Sequence, residues 1–84
     1  MVVNIYFIGQ YKYMANNACA QLSKQIKYLR IKHNLTQESL AEKAGISTKY
    51  LQSLESKNPK VASVVTLEKL AKGFGIPLWK LLRF

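Results

Sequence analysis

Eighty-four residues suffice for one small domain, which buries only about 60–65% of its unfolded surface and gains from area covered by a second chain. Thirteen Lys and Arg against four Glu and no Asp give a net charge of +9, spread along the chain, which suits a polyanion: nucleic acid first, an anionic membrane second. One Cys, one His and no Asp exclude a disulfide framework, a metal cluster and a nucleophile–base–orienter set, so no enzyme, metal or cofactor is expected.

Residues 1–15 form an apolar arm set apart from the rest. Val2, Val3, Ile5, Tyr6, Phe7, Ile8, Tyr11 and Tyr13 are β-branched or aromatic, with Gly9 among them. That composition predicts a strand, or a strand with a short return. The run Ile5–Ile8 is far too short to span a bilayer, and the uncharged start lacks a secretory signal, so a cytoplasmic location without membrane contact is expected.

Residues 16–84 read as a helical domain. From Ala18 to His33 the pattern turns helical: Ala18, Leu22, Ile26 and Leu29 fall within an arc of about 80°. Tyr28 and Ile31 lie outside that stripe and need another cover, either the arm or a partner chain. Asn34-Leu35 breaks the helix. Thr36 is placed to cap a second helix, with Glu38 in its first turn and Leu40, Ala41 and Ala44 on one apolar face.

Gly45 stands where a left-handed residue is needed, and Ser47 caps a third helix running from Thr48 to Lys57. Asn58-Pro59 stops it. Ser63 caps a fourth helix with Val64, Leu67, Leu70, Ala71 and Phe74 inward, ended by Gly75. Pro77 opens a last short helix with Leu78, Leu81 and Leu82 inward and Trp79 and Phe84 beside them.

The third helix divides cleanly on a helical wheel. Thr48, Lys49, Gln52, Ser53 and Ser56 fill one arc of about 140°, while Tyr50, Leu51 and Leu54 fill the opposite side. Glu55 sits at the edge of the polar arc, which otherwise holds no acid. A face made only for water usually mixes acids with bases. This one suits phosphates and base edges: Gln bonds adenine bidentately, Lys donates to guanine, and the Thr methyl meets the thymine methyl. Free N–H groups at the helix starts Thr36-Gln37 and Ser47-Thr48 add two anion-binding ends.

Leu35-Thr36-Gln37, Leu40-Ala41, Ala44-Gly45-Ile46-Ser47, Tyr50-Leu51, Leu54-Glu55 and Leu70-Ala71-Lys72 together resemble the helix-turn-helix domain of the phage repressor and Cro type, over roughly residues 22–82. The resemblance implies an all-α, compact five-helix bundle whose second and third helices bind DNA. It implies that Gln37 supports a phosphate contact and braces the third helix. Ser47, Thr48, Lys49, Gln52 and Ser53 would meet the major groove, and Lys57 and Lys60 the backbone beyond it. It also implies a structural ion pair between Arg30 and Glu55.

Three departures stand out. Ser56-Lys57-Asn58 replaces the usual Gly after the third helix, leaving Asn58 to take the left-handed turn. Pro77 replaces a Ser cap, and the arm lies outside the family pattern.

Taken together, these features predict a sequence-specific transcriptional regulator. It binds double-stranded DNA as a homodimer on a near-palindromic operator. The alternative is an antitoxin or adaptor module whose main role is to bind a protein partner, favoured by the apolar residues in 2–13 and 78–84.

Overall fold

The computed structural model describes the backbone of residues 5–57, 59 and 61–84, and the side chains at those positions from Ala18 onward. Five helices follow in order: α1 (Ile5–Lys32), α2 (Gln37–Ala44), α3 (Thr48–Leu54), α4 (Val64–Phe74) and α5 (Leu78–Leu81). Among the described residues there is no strand. The strand expected in the arm is therefore corrected: from Ile5 on, the backbone belongs to α1, which runs unbroken through the arm and into the bundle. A β-rich composition needs a neighbouring strand to be satisfied, whereas extending an existing helix adds one hydrogen bond per residue. The arm's side-chain expectations and residues 1–4 lie outside the described part, as do Asn58 and Lys60.

Three helices end on one device. Asn34 (φ 56°), Gly45 (φ 72°) and Gly75 (φ 72°) are left-handed. The apolar residue after each sends its N–H five residues back: Leu35 to Arg30 O at 2.9 Å, Ile46 to Ala41 O at 3.0 Å and Ile76 to Ala71 O at 3.0 Å. All three apolar residues pack on the core. This is the Schellman arrangement with its hydrophobic contact, and it turns the chain sharply while satisfying orphan carbonyls.

The helix starts are also set by side chains. Thr36 Oγ1 accepts from Ser39 N at 3.0 Å, and Thr36 N donates to Ser39 Oγ at 2.9 Å, a reciprocal capping box. Ser47 and Ser63 accept from Tyr50 N at 3.0 Å and Thr66 N at 3.1 Å. Each such cap contributes about 1 kcal/mol. Pro77, which has no donor or acceptor side chain, makes no such bond at the start of α5.

Ile26, Leu40, Leu51, Leu54, Leu70 and Leu81 are fully buried, one or two from every helix. α2 lies between α3 and α4, and α4 also carries α5. The α2–α4 crossing is tight: a Cβ on Gly73 would come 3.2 Å from Ala44 N and 3.3 Å from its Cα. Leu67, Leu70, Ala71 and Phe74 point inward as expected. Val64 does not; it is 63% exposed, because it occupies the first turn, beyond the edge of the bundle. Leu82 is likewise exposed, just past the end of α5. Tyr28 and Ile31 are 59% and 58% exposed, with only the Lys32 ammonium lying over the Tyr28 ring at 5.8 Å among the described contacts.

Candidate nucleic-acid interface

The α3 helix is shorter than its sequence suggests, ending at Leu54 instead of Lys57. Two side chains compete with its continuation. Ser56 Oγ donates to Ser53 O at 2.8 Å, and Ser53 Oγ donates to Tyr50 O at 2.6 Å; such back-bonding offers the backbone an alternative to helix. Glu55, the C-cap residue, is held from outside the helix.

That hold comes from two directions. Arg30 on α1 donates from Nε to Glu55 Oε2 at 2.8 Å and from Nη2 to Oε1 at 3.1 Å. Gln37, the first residue of α2, donates from Nε2 to Oε1 at 3.1 Å. The remaining arm of the guanidinium, Nη1, donates to Leu35 O at 3.0 Å, in the turn before α2. One carboxylate thus joins three helices at the exit of α3. Its side chain is 3% exposed, and its charge is matched by the guanidinium. The polar edge of α3 is therefore free of outward negative charge.

The other end of α3 is tied to α4. Tyr50 is half-buried against the core, and its hydroxyl lies 3.4 Å from Thr66 Oγ1, which in turn lies 3.1 Å from Ser63 Oγ. Tyr50 therefore docks the helix. On the outer side, Lys49 and Gln52 are exposed, Thr48 and Ser53 half-buried. Ser47, Lys49, Tyr50 and Ser53 line a shallow depression of about 250 Å³. The side chains of Lys49 and Gln52 make no hydrogen bond or ion pair to any described residue, so their donors and acceptors are open to a ligand. Lys57 is exposed just beyond.

The expected contact residues are thus of two kinds. Thr48, Lys49, Gln52 and Ser53 lie on the outer side of α3, and Lys57 is exposed beyond its end. Thr36 and Ser47 are exposed, but their hydroxyls cap helices; the Thr36 proton is given to Ser39 Oγ at 3.0 Å. Gln37 is half-buried on Glu55, which is the bracing part of its expected role. Ser39 and Ser56 have supporting roles not expected from the sequence, where Ser56 was placed only on the polar arc of the third helix. The spacing of Thr36 and Ser39 is the signal for the first; the second follows only from the early end of α3. His33 has a local role: Nδ1 is 2.7 Å from Leu29 O, and its ring lies 5.4 Å from that of Phe74, tilted by 43°. Among the described residues no group of His, Cys, Asp or Glu could hold a metal ion, and no helix is long and apolar enough to cross a membrane.

Comparison with known proteins matches residues 26–78 to the model of a helix-turn-helix family. An uncharacterized HTH-type transcriptional regulator of Methanocaldococcus jannaschii is 39% identical over 57 residues, spanning 68% of this chain and 85% of the relative. Among solved structures, the restriction-modification controller protein C.AhdI from Aeromonas hydrophila superposes with a TM-score of 0.70 at 27% identity, covering 75% of this chain and 94% of the controller. The controller C.Esp1396I bound to a 19 base pair DNA duplex gives 0.70 at 26% identity, covering 77% and 89%.

Proposed function

We propose, from the premise that this chain belongs to the helix-turn-helix family, that it is a DNA-binding transcriptional regulator acting in the cytoplasm and without catalytic activity of its own. The α3 surface carries this reading. Its outward residues Lys49 and Gln52 are uncommitted, and the one carboxylate at its end is enclosed by Arg30 and Gln37. Inserted in the major groove, Gln52 and Lys49 read base edges, with Thr48 and Ser53 beside them. The starts of α2 and α3, at Thr36-Gln37 and Ser47, and the lysines Lys57 and Lys60 hold the phosphate backbone.

That a similar controller protein has been solved bound to a 19 base pair DNA duplex supports DNA as the partner here. A homodimer on a near-palindromic operator follows: two copies of α3 reach half-sites about 34 Å apart only if the chains pair. Trp79, Leu82 and Phe84 are 61%, 41% and 51% exposed, and they supply apolar surface for that pairing. The same exposed cluster favours the second reading, an adaptor or antitoxin module that offers this surface to a different protein.

Selection of bound duplexes from a random pool, followed by titrations at several salt concentrations, tests the reading. Enrichment of a near-palindromic site whose affinity falls steeply with salt supports it. Recovery of no preferred sequence, or binding indifferent to salt, refutes it.

A further inference from the structure

Lys24 and Lys27 lie one turn apart on α1, and Lys57 follows α3. All three line a single concavity of about 360 Å³ together with Ser23, Glu55 and Ser56. The lysines are exposed and make no ion pair with any described residue. Ser23 is 7% exposed and donates through Oγ to Ser56 O at 3.4 Å, so α1 is fastened to the segment leaving α3. The only carboxylate in the wall, Glu55, is turned to Arg30 and Gln37. The concavity is therefore lined by three lysines, and the carboxylate beside them is already paired. Like charges brought together in this way repel unless an anion sits between them. A phosphate group, which accepts charge-assisted hydrogen bonds from ammonium donors and is small enough for the space, is the matching chemistry.

We infer that Lys24, Lys27 and Lys57 form a seat for a backbone phosphodiester of bound DNA, lying outside the groove segment read by α3. This rests on the DNA-binding reading above and adds to it: α1 becomes a third element that grips the duplex, set in register by the Ser23–Ser56 bond. The seat contributes affinity without sequence preference.

The test uses the full chain and a mixed-sequence duplex, with affinity measured against salt concentration. Each lysine–phosphate contact adds roughly 0.9 to the salt exponent. Lys24→Gln/Lys27→Gln should lower the exponent by roughly 1–2 and weaken the selected operator and the mixed duplex by the same factor, at an unchanged melting temperature. Lys24→Arg/Lys27→Arg should keep the parental exponent. Lys69→Gln/Lys72→Gln, which removes equal charge outside the concavity, should also keep it.

An unaltered exponent in Lys24→Gln/Lys27→Gln, with the parent still salt-dependent, overturns the seat and leaves the DNA reading standing. Equal losses in both Gln pairs also overturn it, since the effect is then a diffuse field. Inorganic phosphate, titrated without DNA and followed at the Ser23 and Ser56 amides, separates the remaining source. Saturation by free phosphate, together with an unaltered duplex exponent in the Gln pair, assigns the concavity to a small anion and overturns the backbone assignment. If the parent binds no duplex at all, the DNA reading falls and the seat with it.

Discussion

Arg30 and Glu55 meet side on, through paired contacts of 2.8 and 3.1 Å, with their side chains 14% and 3% exposed. Removing one partner strands the other in a poorly hydrated place. Glu55→Ala should therefore cost about 3 kcal/mol of stability, and Glu55→Gln less, since it keeps hydrogen-bonding capacity. For a domain of this size the alanine variant should melt more than about 10 °C below the parent, read by circular dichroism. A shift within a degree or two would mean that the pair does not hold α3.

Lys49→Ala and Gln52→Ala should each leave the melting temperature unchanged, because both side chains are exposed and uncommitted. Each should weaken the selected operator by about 1–3 kcal/mol and relax preference at one position of each half-site. Anisotropy titrations on single-base variants of the operator check this. Parental affinity and parental preference in both variants would remove α3 from the groove.

Gly45 and Gly75 share a φ of 72°, and a Cβ at either would meet no atom within 4 Å. Their substitution therefore isolates the backbone cost. Gly45→Ala and Gly75→Ala should each lose about 1 kcal/mol, and the Asn variants less, since Asn tolerates the left-handed region. Asn34 already does so in the turn after α1. Chemical denaturation should rank Gly above Asn above Ala at both sites; a neutral Ala would mean that the turns relax.

Trp79→Ala combined with Leu82→Ala should shift the chain toward monomer in sedimentation equilibrium and weaken operator binding more than mixed-sequence binding. Both side chains are largely outside the core, so the monomer should stay folded. A dimer that survives the double substitution places the pairing surface elsewhere.

Local signals carried most of the bundle. Thr36, Ser47 and Ser63 cap as their spacing suggests, Gly45 and Gly75 turn where left-handed residues are required, and the apolar stripes name nearly all of the core. What was not legible depends on neighbours. Whether Ile5–Tyr13 becomes strand or helix turns on the presence of a pairing edge, which composition cannot report. The end of α3 combines local back-bonding by Ser53 and Ser56 with the hold on Glu55 by residues 25 and 18 positions away, and only the first is local. Val64 has the right angle for the core and lacks anything above it to pack on. The wheel separated docking from outward residues on α3, but the meeting of Lys24, Lys27 and Lys57 in one concavity follows from the packing of α1 on the α3 exit, which no local pattern encodes.

The bracing of α3 at both ends, by Arg30 and Gln37 on Glu55 and by Thr66 on Tyr50, has a kinetic corollary. A helix already held rigid at both ends has little left to order when DNA arrives. Encounter rates should then be nearly the same for good and poor operators and governed by charge and salt. The difference between operators should reside in how long each complex lasts.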